Sequence, residues 1–356
     1  MLNQTSGSQE NYLPKTPELK TVQKIIEKKL ASRVPHLQLQ LERVKKSRGK
    51  MLRPLLVLLF SSLQQERIGD KLSVTDRLKT PDCTLTHRNP KNEPPTELAA
   101  GVELIHLASL IHDDIIDEGT TRRGQPALQI LVGKQKATKA GDFLMAAAFA
   151  LISTYYRLGI PHLLSKTTGL MCEGEVEQLN RAGDCHLDRE EYYLINYKKT
   201  ASFLEACCLA GLKSSGVNQP VYLEAAKIYG KNLGYAFQIL DDILDFTASP
   251  QETGKTSNAD LNQGIITLPL IYLVQKTGCS NKVSSLLANS SCPEARNQLM
   301  KLIIDNHAVE EAAREAVFVC RKAGEALDCF PGSRTRKNLR KIINGLEKKA
   351  FSYLNV

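Results

Sequence analysis

The sequence predicts an all-α protein. Two observations carry that reading: apolar residues recur at helical spacing through nine long segments, and strand-like alternation is scarce. A third gives it chemical content, because the word Asp-Asp-Ile-Ile-Asp at 113 returns as Asp-Asp-Ile-Leu-Asp at 241.

In chain order, helical patterns run over residues 19 to 46, 55 to 63, 97 to 118, 138 to 156, 188 to 213, 220 to 247, 267 to 276, 294 to 326 and 336 to 353. The third is apolar until Asp113, and Gly119 is its expected C-cap. The run from Thr267 has the apolar content of a buried strand. Thr267 as a cap and Pro269 in the first turn make it a helix start instead. Residues 64 to 96 are polar, proline-containing and weakly periodic, so they read as a loop insertion. No glycine-, serine- or proline-rich tract divides the 356 residues, and the expectation is one domain over 1 to 356.

With 42% hydrophobic and 24% charged residues the chain has material for a large core and a solvated exterior. Nine cysteines, an odd number without Cys-x-x-Cys spacing, read as reduced thiols rather than a disulfide frame or a zinc site. The N-terminus lacks the basic start and apolar core of a secretory signal, and no apolar run reaches the roughly 20 residues of a membrane span. The expected setting is cytoplasmic, with no transmembrane segment. The net charge of +9 is concentrated in residues 20 to 53 and from Arg334 to Lys349. Without interleaved aromatic residues these stretches are solvated helix faces, and nucleic acid is not an expected partner.

Asp113, Asp114 and Asp117 fall on one face of a helix, at the end whose dipole disfavours anions. Asp241, Asp242 and Asp245 repeat the spacing. Each word lies in apolar sequence, where unpaired carboxylates are costly. A hard divalent cation answers that cost, Mg²⁺ above all, because it takes one or two carboxylates and completes its shell with water and phosphate oxygens. Two such helices therefore point to a phosphate-bearing substrate. Lys50, Arg53, Arg122, Arg123, Lys199 and Thr200 supply groups suited to phosphate oxygens.

The words GKMLRP, ELIHLASLIHDDIID, RRGQP, GDFLMA, GEVEQ, KKT, FQILDDILD, GKTSNADLNQG and TLPLI stand in the order found in the trans-prenyl diphosphate synthases, or polyprenyl synthetases, which the sequence resembles over about residues 41 to 290. The resemblance is to the long-chain members that make hexaprenyl, heptaprenyl or octaprenyl diphosphates. It implies a single bundle of long helices around a deep central cavity, usually a homodimer. It also implies Mg²⁺-dependent, head-to-tail addition of isopentenyl diphosphate to an allylic diphosphate.

By that resemblance Asp113 and Asp117 bind Mg²⁺ from one wall with Asp114 beside them, and Asp241 from the other, supported by Asp242 and Asp245. Arg122, Lys199, Thr200, Gln238 and Lys255 hold the allylic diphosphate. Lys50, Arg53, His106 and Arg123 hold isopentenyl diphosphate. The allylic C–O bond breaks, the isopentenyl double bond attacks the cation, and the released diphosphate takes the proton. Short-chain members place bulky aromatics four and five residues before the first word. Ser109 and Ala108 stand there instead, with Ile105 one turn further down, so the expected product is C30 or longer. Ala146, Ala147 and Ala148 either extend that tunnel or serve a helix contact.

Ile265 follows Gly264 where many members carry lysine, which bears on diphosphate affinity. The alternatives are a shorter-chain geranylgeranyl or geranylfarnesyl diphosphate synthase, the catalytic subunit of a heteromeric synthase with a small second subunit, a non-catalytic partner subunit, and a class I terpene cyclase. Two intact acidic words argue against the last two.

Overall fold

The computed structural model describes residues 12–46, 49–63, 93–122, 124–247, 259–290 and 292–354. Arg123, Lys255 and most of the 64 to 96 insertion lie outside the described residues.

The described chain is helical apart from one small hairpin. Its helices are α1 (Glu18–Lys29), α2 (Pro35–Lys46), α3 (Leu52–Ser62), α4 (Thr96–Ile116), α5 (Leu128–Val132), α6 (Lys134–Ile152), α7 (Ile160–Asn180), α8 (Arg189–Asn196), α9 (Ser202–Ser214), α10 (Pro220–Thr247), α11 (Ala259–Asn262), α12 (Leu268–Thr277), α13 (Ser280–Ala288), α14 (Pro293–Asp305), α15 (Ala308–Ala326) and α16 (Arg334–Phe351). The hairpin pairs β1 (Thr121–Arg122) with β2 (Gln125–Pro126) directly after the first acidic word.

Helix α10 runs through the bundle and packs on α9 and α15, while α4 packs along α6. Its buried face alternates small and large residues (Ala225, Ala226, Tyr229, Gly230, Leu233), which lets neighbouring helices interdigitate with it. The Tyr229 ring meets Phe60 of α3 edge to face at 5.3 Å, and its hydroxyl donates to the Leu339 carbonyl of α16 at 3.0 Å. Burial of that hydroxyl is thereby compensated.

Several expected segments divide. Residues 19 to 46 break ahead of Pro35, which begins α2. Residues 294 to 326 break at His307, which adopts the left-handed region at φ 54°. Residues 188 to 213 stay helical throughout, but Tyr197–Ala201 form a π turn between α8 and α9. Helix α7 was not expected at all: its buried face is Ile160, Leu164, Thr167, Gly174 and Glu175, too small and polar to give an apolar period. The end of α4 also corrects the expected cap. Asp117 is the C-cap, Glu118 takes the left-handed conformation at φ 52°, and the Gly119 amide donates back to the Asp114 carbonyl at 3.0 Å. A Schellman closure results with a non-glycine residue at its strained position.

Candidate active site

Helix α4 carries the first acidic word on its last turn, and the three aspartates separate by role. Asp114 is buried and gripped by Arg122, whose Nε donates to Oδ1 at 2.9 Å and Oδ2 at 3.1 Å while a terminal nitrogen also bonds Oδ1. This fork fixes the hairpin against α4. Gln129 of α5 donates to the Asp114 and Gly119 carbonyls, tying α5 to the turn that closes α4.

Asp113 and Asp117 face elsewhere. Burial, with Glu175 and Asp117 nearby, pushes the Asp113 carboxyl up to about 7, against the pull of Lys199 and Arg122. Burial raises Asp117 as well, with Glu175 acting in the same direction and Lys199 against it. Burial thus opposes ionisation of both carboxyls, and the like charges around them add to it.

Lys199 stands at the centre. Its ammonium reaches Glu175 of α7 at 2.9 Å, bonds the Gln178 side chain, and feels both Asp113 and Asp117. The next residue turns to the opposite wall. Thr200 donates to Gln238 Oε1 at 3.0 Å, and Gln238 donates to Asp242 Oδ1 at 2.9 Å. One π turn thus touches the neighbourhoods of both acidic words. It is held by close backbone approach: a Cβ on Gly174 would sit 2.7 Å from the Lys199 nitrogen, and one on Gly234 would sit 2.4 Å from the Ala201 Cα. Only glycine admits α7 and α10 that near.

On α10, Asp241 is exposed and Asp242 buried. Asp242 accepts from the Tyr192 hydroxyl at 2.6 Å and from Gln238, and burial pushes its carboxyl up to about 6. Both its oxygens are engaged inward, while Asp241 is the carboxylate on the open side. Asp245 accepts from the Asp260 amide at 3.2 Å and so fastens α11 to α10. Gln263, just past α11, donates to the Asp117 carbonyl at 3.3 Å, tying that segment to the first wall.

Among the remaining expected residues, Lys50 is exposed at a sharp turn, next to Met51 at φ 58°. Arg53 lies over the Phe203 ring at 5.4 Å. His106 is half-buried, and its carbonyl accepts from the Ser109 hydroxyl at 3.0 Å. Ser109, one turn below Asp113, is half-buried too, whereas Ala108 and Ile105 are fully enclosed. Of the three alanines on α6, Ala148 is buried, and a Cβ on Gly101 of α4 would lie 3.3 Å from its carbonyl oxygen. That is a helix contact, while Ala146 is exposed.

Sequence reasoning gave no role to Glu175, Gln178, Tyr192 or Lys349. The GEVEQ word holds the first two. Lys349 of α16 is pushed down by burial, held up by Asp241 and pushed down by Lys50, so the last helix brings a cation to the second wall.

Among the described residues no three metal-ligating side chains converge on one point. Yet Asp113 and Asp117 are neighbouring carboxyls raised by burial and like charge, and Asp241 is open. That donor set fits a divalent ion completed by phosphate oxygens better than a cage made wholly of protein.

An all-helical bundle with paired acidic words and a lysine between them defines the class. Residues 34–303 match the sequence model described as polyprenyl synthetase, and the chain belongs to that family. It is a prenyltransferase by that membership. The chain is similar to the probable hexaprenyl pyrophosphate synthase, mitochondrial, of Neurospora crassa, with 32% identity over 351 residues, 90% of this chain and 78% of the relative. It is also similar to heptaprenyl diphosphate synthase component 2 of Bacillus subtilis, with 30% identity over 254 residues, 71% and 72% of the two chains. Among solved structures, the polyprenyl synthase of Caulobacter crescentus CB15 complexed with calcium and isoprenyl diphosphate aligns with a TM-score of 0.80 and 28% identity, covering 93% of this chain and 94% of that one. No helix of the described residues is long and apolar enough to cross a membrane.

Proposed function

We propose that the protein is a Mg²⁺-dependent, long-chain all-trans polyprenyl diphosphate synthase, adding isopentenyl diphosphate units to an allylic diphosphate primer to reach C30 or longer. The observation that carries this is the π turn, whose Lys199 faces Asp113 and Asp117 while its Thr200 is linked to Asp242 through Gln238. A diphosphate spanning the two walls has a cation at its centre.

Bound Mg²⁺ supplies Lewis-acid stabilisation of the departing diphosphate. Asp113, Asp117 and Asp241 are the residues to hold it, and its charge would favour the ionised Asp113 that burial and the neighbouring carboxylates oppose. Lys199 donates to diphosphate oxygens as charge builds on them during C–O cleavage, and Arg122, its fork held by Asp114, adds its positive charge from the hairpin. Asp242, pinned by Tyr192 and Gln238, holds α10 in register so that Asp241 faces the substrate. Lys50, Arg53, His106 and Lys349 form the isopentenyl diphosphate side. No side-chain nucleophile is needed, because the isopentenyl double bond supplies the electrons. Ser109 and Ala108 place no aromatic pair below Asp113 to stop a growing chain.

The assembly proposed is a homodimer. The Bacillus subtilis relative is called component 2, which motivates testing a second subunit. The cytoplasm is proposed as its compartment, in keeping with thiols Cys185, Cys207, Cys208 and Cys320 all buried unpaired.

The test is incubation of the purified chain with Mg²⁺, labelled isopentenyl diphosphate and farnesyl diphosphate, followed by chromatography of the dephosphorylated alcohols. Alcohols of C30 or longer are expected, and none with chelator. Hydrocarbon products, or alcohols ending at C20 or C25, would overturn the long-chain reading.

A further inference from the structure

A groove of about 600 Å³, which none of the aspartates lines, opens between α8, the π turn, α10 and α15. Tyr193, Tyr197, Tyr235 and Phe318 supply its rings, and Lys231 and Lys322 are two of its cations. Much of its polar chemistry is already committed. Glu315 accepts from the Tyr193 hydroxyl at 2.8 Å and the Tyr272 hydroxyl at 3.3 Å, with Arg189 at 3.8 Å. Glu205 bonds the Tyr197 hydroxyl, and Lys227 pairs with Glu224 at 3.2 Å. These contacts fasten α8 and the π turn to α15 and α9.

Fastening does not account for the two lysines. Lys231 stands 5.4 Å from the Tyr197 ring centroid and 5.7 Å from that of Tyr235, and Lys322 stands 4.2 Å from that of Phe318. Among the described residues neither makes an ion pair with a carboxylate. An aromatic face orients an ammonium without neutralising it, and although Glu205 attracts Lys231, the groove's four cations (Arg189, Lys227, Lys231, Lys322) outnumber its three carboxylates (Glu205, Glu224, Glu315). Beside these charges Ile228 and Phe318 are 38% and 49% exposed. Rings and aliphatic groups with a few placed charges, in a concavity of this size, are the makings of a ligand site.

We propose that this groove binds a small amphipathic anion, its phosphate or carboxylate head between Lys231 and Lys322 and its apolar body against Ile228, Phe318 and the tyrosine rings. The groove connects to the aspartate site at two places. Tyr193 packs its ring 5.7 Å from that of Tyr192, which holds Asp242, and Tyr197 begins the π turn that carries Lys199 and Thr200. Occupancy therefore alters turnover. This second step rests on the synthase reading above, whereas binding itself does not.

Calorimetry on the full chain in chelator, with dodecyl phosphate below its micellar concentration as probe, tests the site. Saturable one-to-one binding is expected for the wild type and for Asp113→Asn/Asp117→Asn. Binding is expected at least tenfold weaker in Lys231→Ala/Lys322→Ala and nearly restored in Lys231→Arg/Lys322→Arg, which keeps the charges. Equal binding by the alanine variant, loss in the aspartate variant, or binding only to anionic phospholipid vesicles would overturn the site. Saturating probe is expected to change the wild-type kcat at least twofold and to leave that of the Lys231→Ala/Lys322→Ala variant unchanged. An unchanged wild-type kcat despite measured binding would overturn the coupling. Absence of turnover in every form would count against the synthase reading and leave the calorimetric result to stand alone.

Discussion

Asp113, Asp114 and Asp117 share a helical face, yet Asp114 meets a different environment from the other two. Asp114 has a guanidinium fork, whereas Asp113 has burial and like charge, which push its carboxyl up to about 7. A carboxyl near 3.8 in the unfolded chain and about 7 in the folded one binds its proton more tightly when folded. Its contribution is fully present below the unfolded value and is lost as pH rises through the folded one. In chelator, Asp113→Asn is therefore expected to gain on the order of 2 kcal/mol over wild type at pH 8, the gap closing towards pH 4. Added Mg²⁺ should raise the wild-type melting temperature and leave the variant's unchanged. Thermal melts at both pH values check this, and a pH-independent difference would sink it. The separation of Asp114 from Asp113 and Asp117 was not legible in the word itself, because Asp-Asp-x-x-Asp fixes a face and not what that face meets.

Among elements, the π turn at Tyr197–Ala201 decides the site, and two glycines decide the π turn. A methyl at Gly174 would meet the Lys199 nitrogen and force α7 away from the lysine that Glu175 and Gln178 hold. Gly169, on the same helix, faces open space. Gly174→Ala is therefore expected to cost about 1–3 kcal/mol by overpacking and to lower kcat at least tenfold. Gly169→Ala should gain up to about 1 kcal/mol from helix propensity with kcat unchanged. Denaturant titration and steady-state kinetics on the pair give the answer, and equal effects would show that the close approach does not matter. Helix α7 illustrates why an element can be missed: it buries Thr167, Gly174 and Glu175 against the π turn, so its inner face follows the needs of the site and not an apolar period.

At the scale of the molecule, Tyr12 and helix α16, remote in sequence, meet beside the second acidic wall. Tyr12 packs so closely on Gly345 of α16 that a Cβ there would lie 2.4 Å from its ring, and Lys50 stands 5.7 Å from that ring's centroid. Lys349, one helical turn on, then lies beside Lys50 and Asp241. Two like charges held together call for an anion between or beside them. Lys349→Ala is expected to raise KM for isopentenyl diphosphate about tenfold, the worth of one charge-assisted hydrogen bond, while kcat stays within about twofold. Initial-rate kinetics with varied isopentenyl diphosphate measure it, and an unchanged KM would remove Lys349 from that subsite.

By itself the sequence determined the helical class, the family and the pair of acidic words, since hydrophobic period and short spacings are local properties that a helix converts directly into a face. Lys199 and Thr200 were legible as a word for the same reason. Only the tertiary structure decided that Arg122 closes on Asp114, that Asp242 turns inward to Tyr192 while Asp241 stays open, and that α16 delivers Lys349 from more than a hundred residues away. Those outcomes depend on which helices approach closely enough to share charge. That is set by glycines and packing between segments remote in sequence, and no local pattern encodes it.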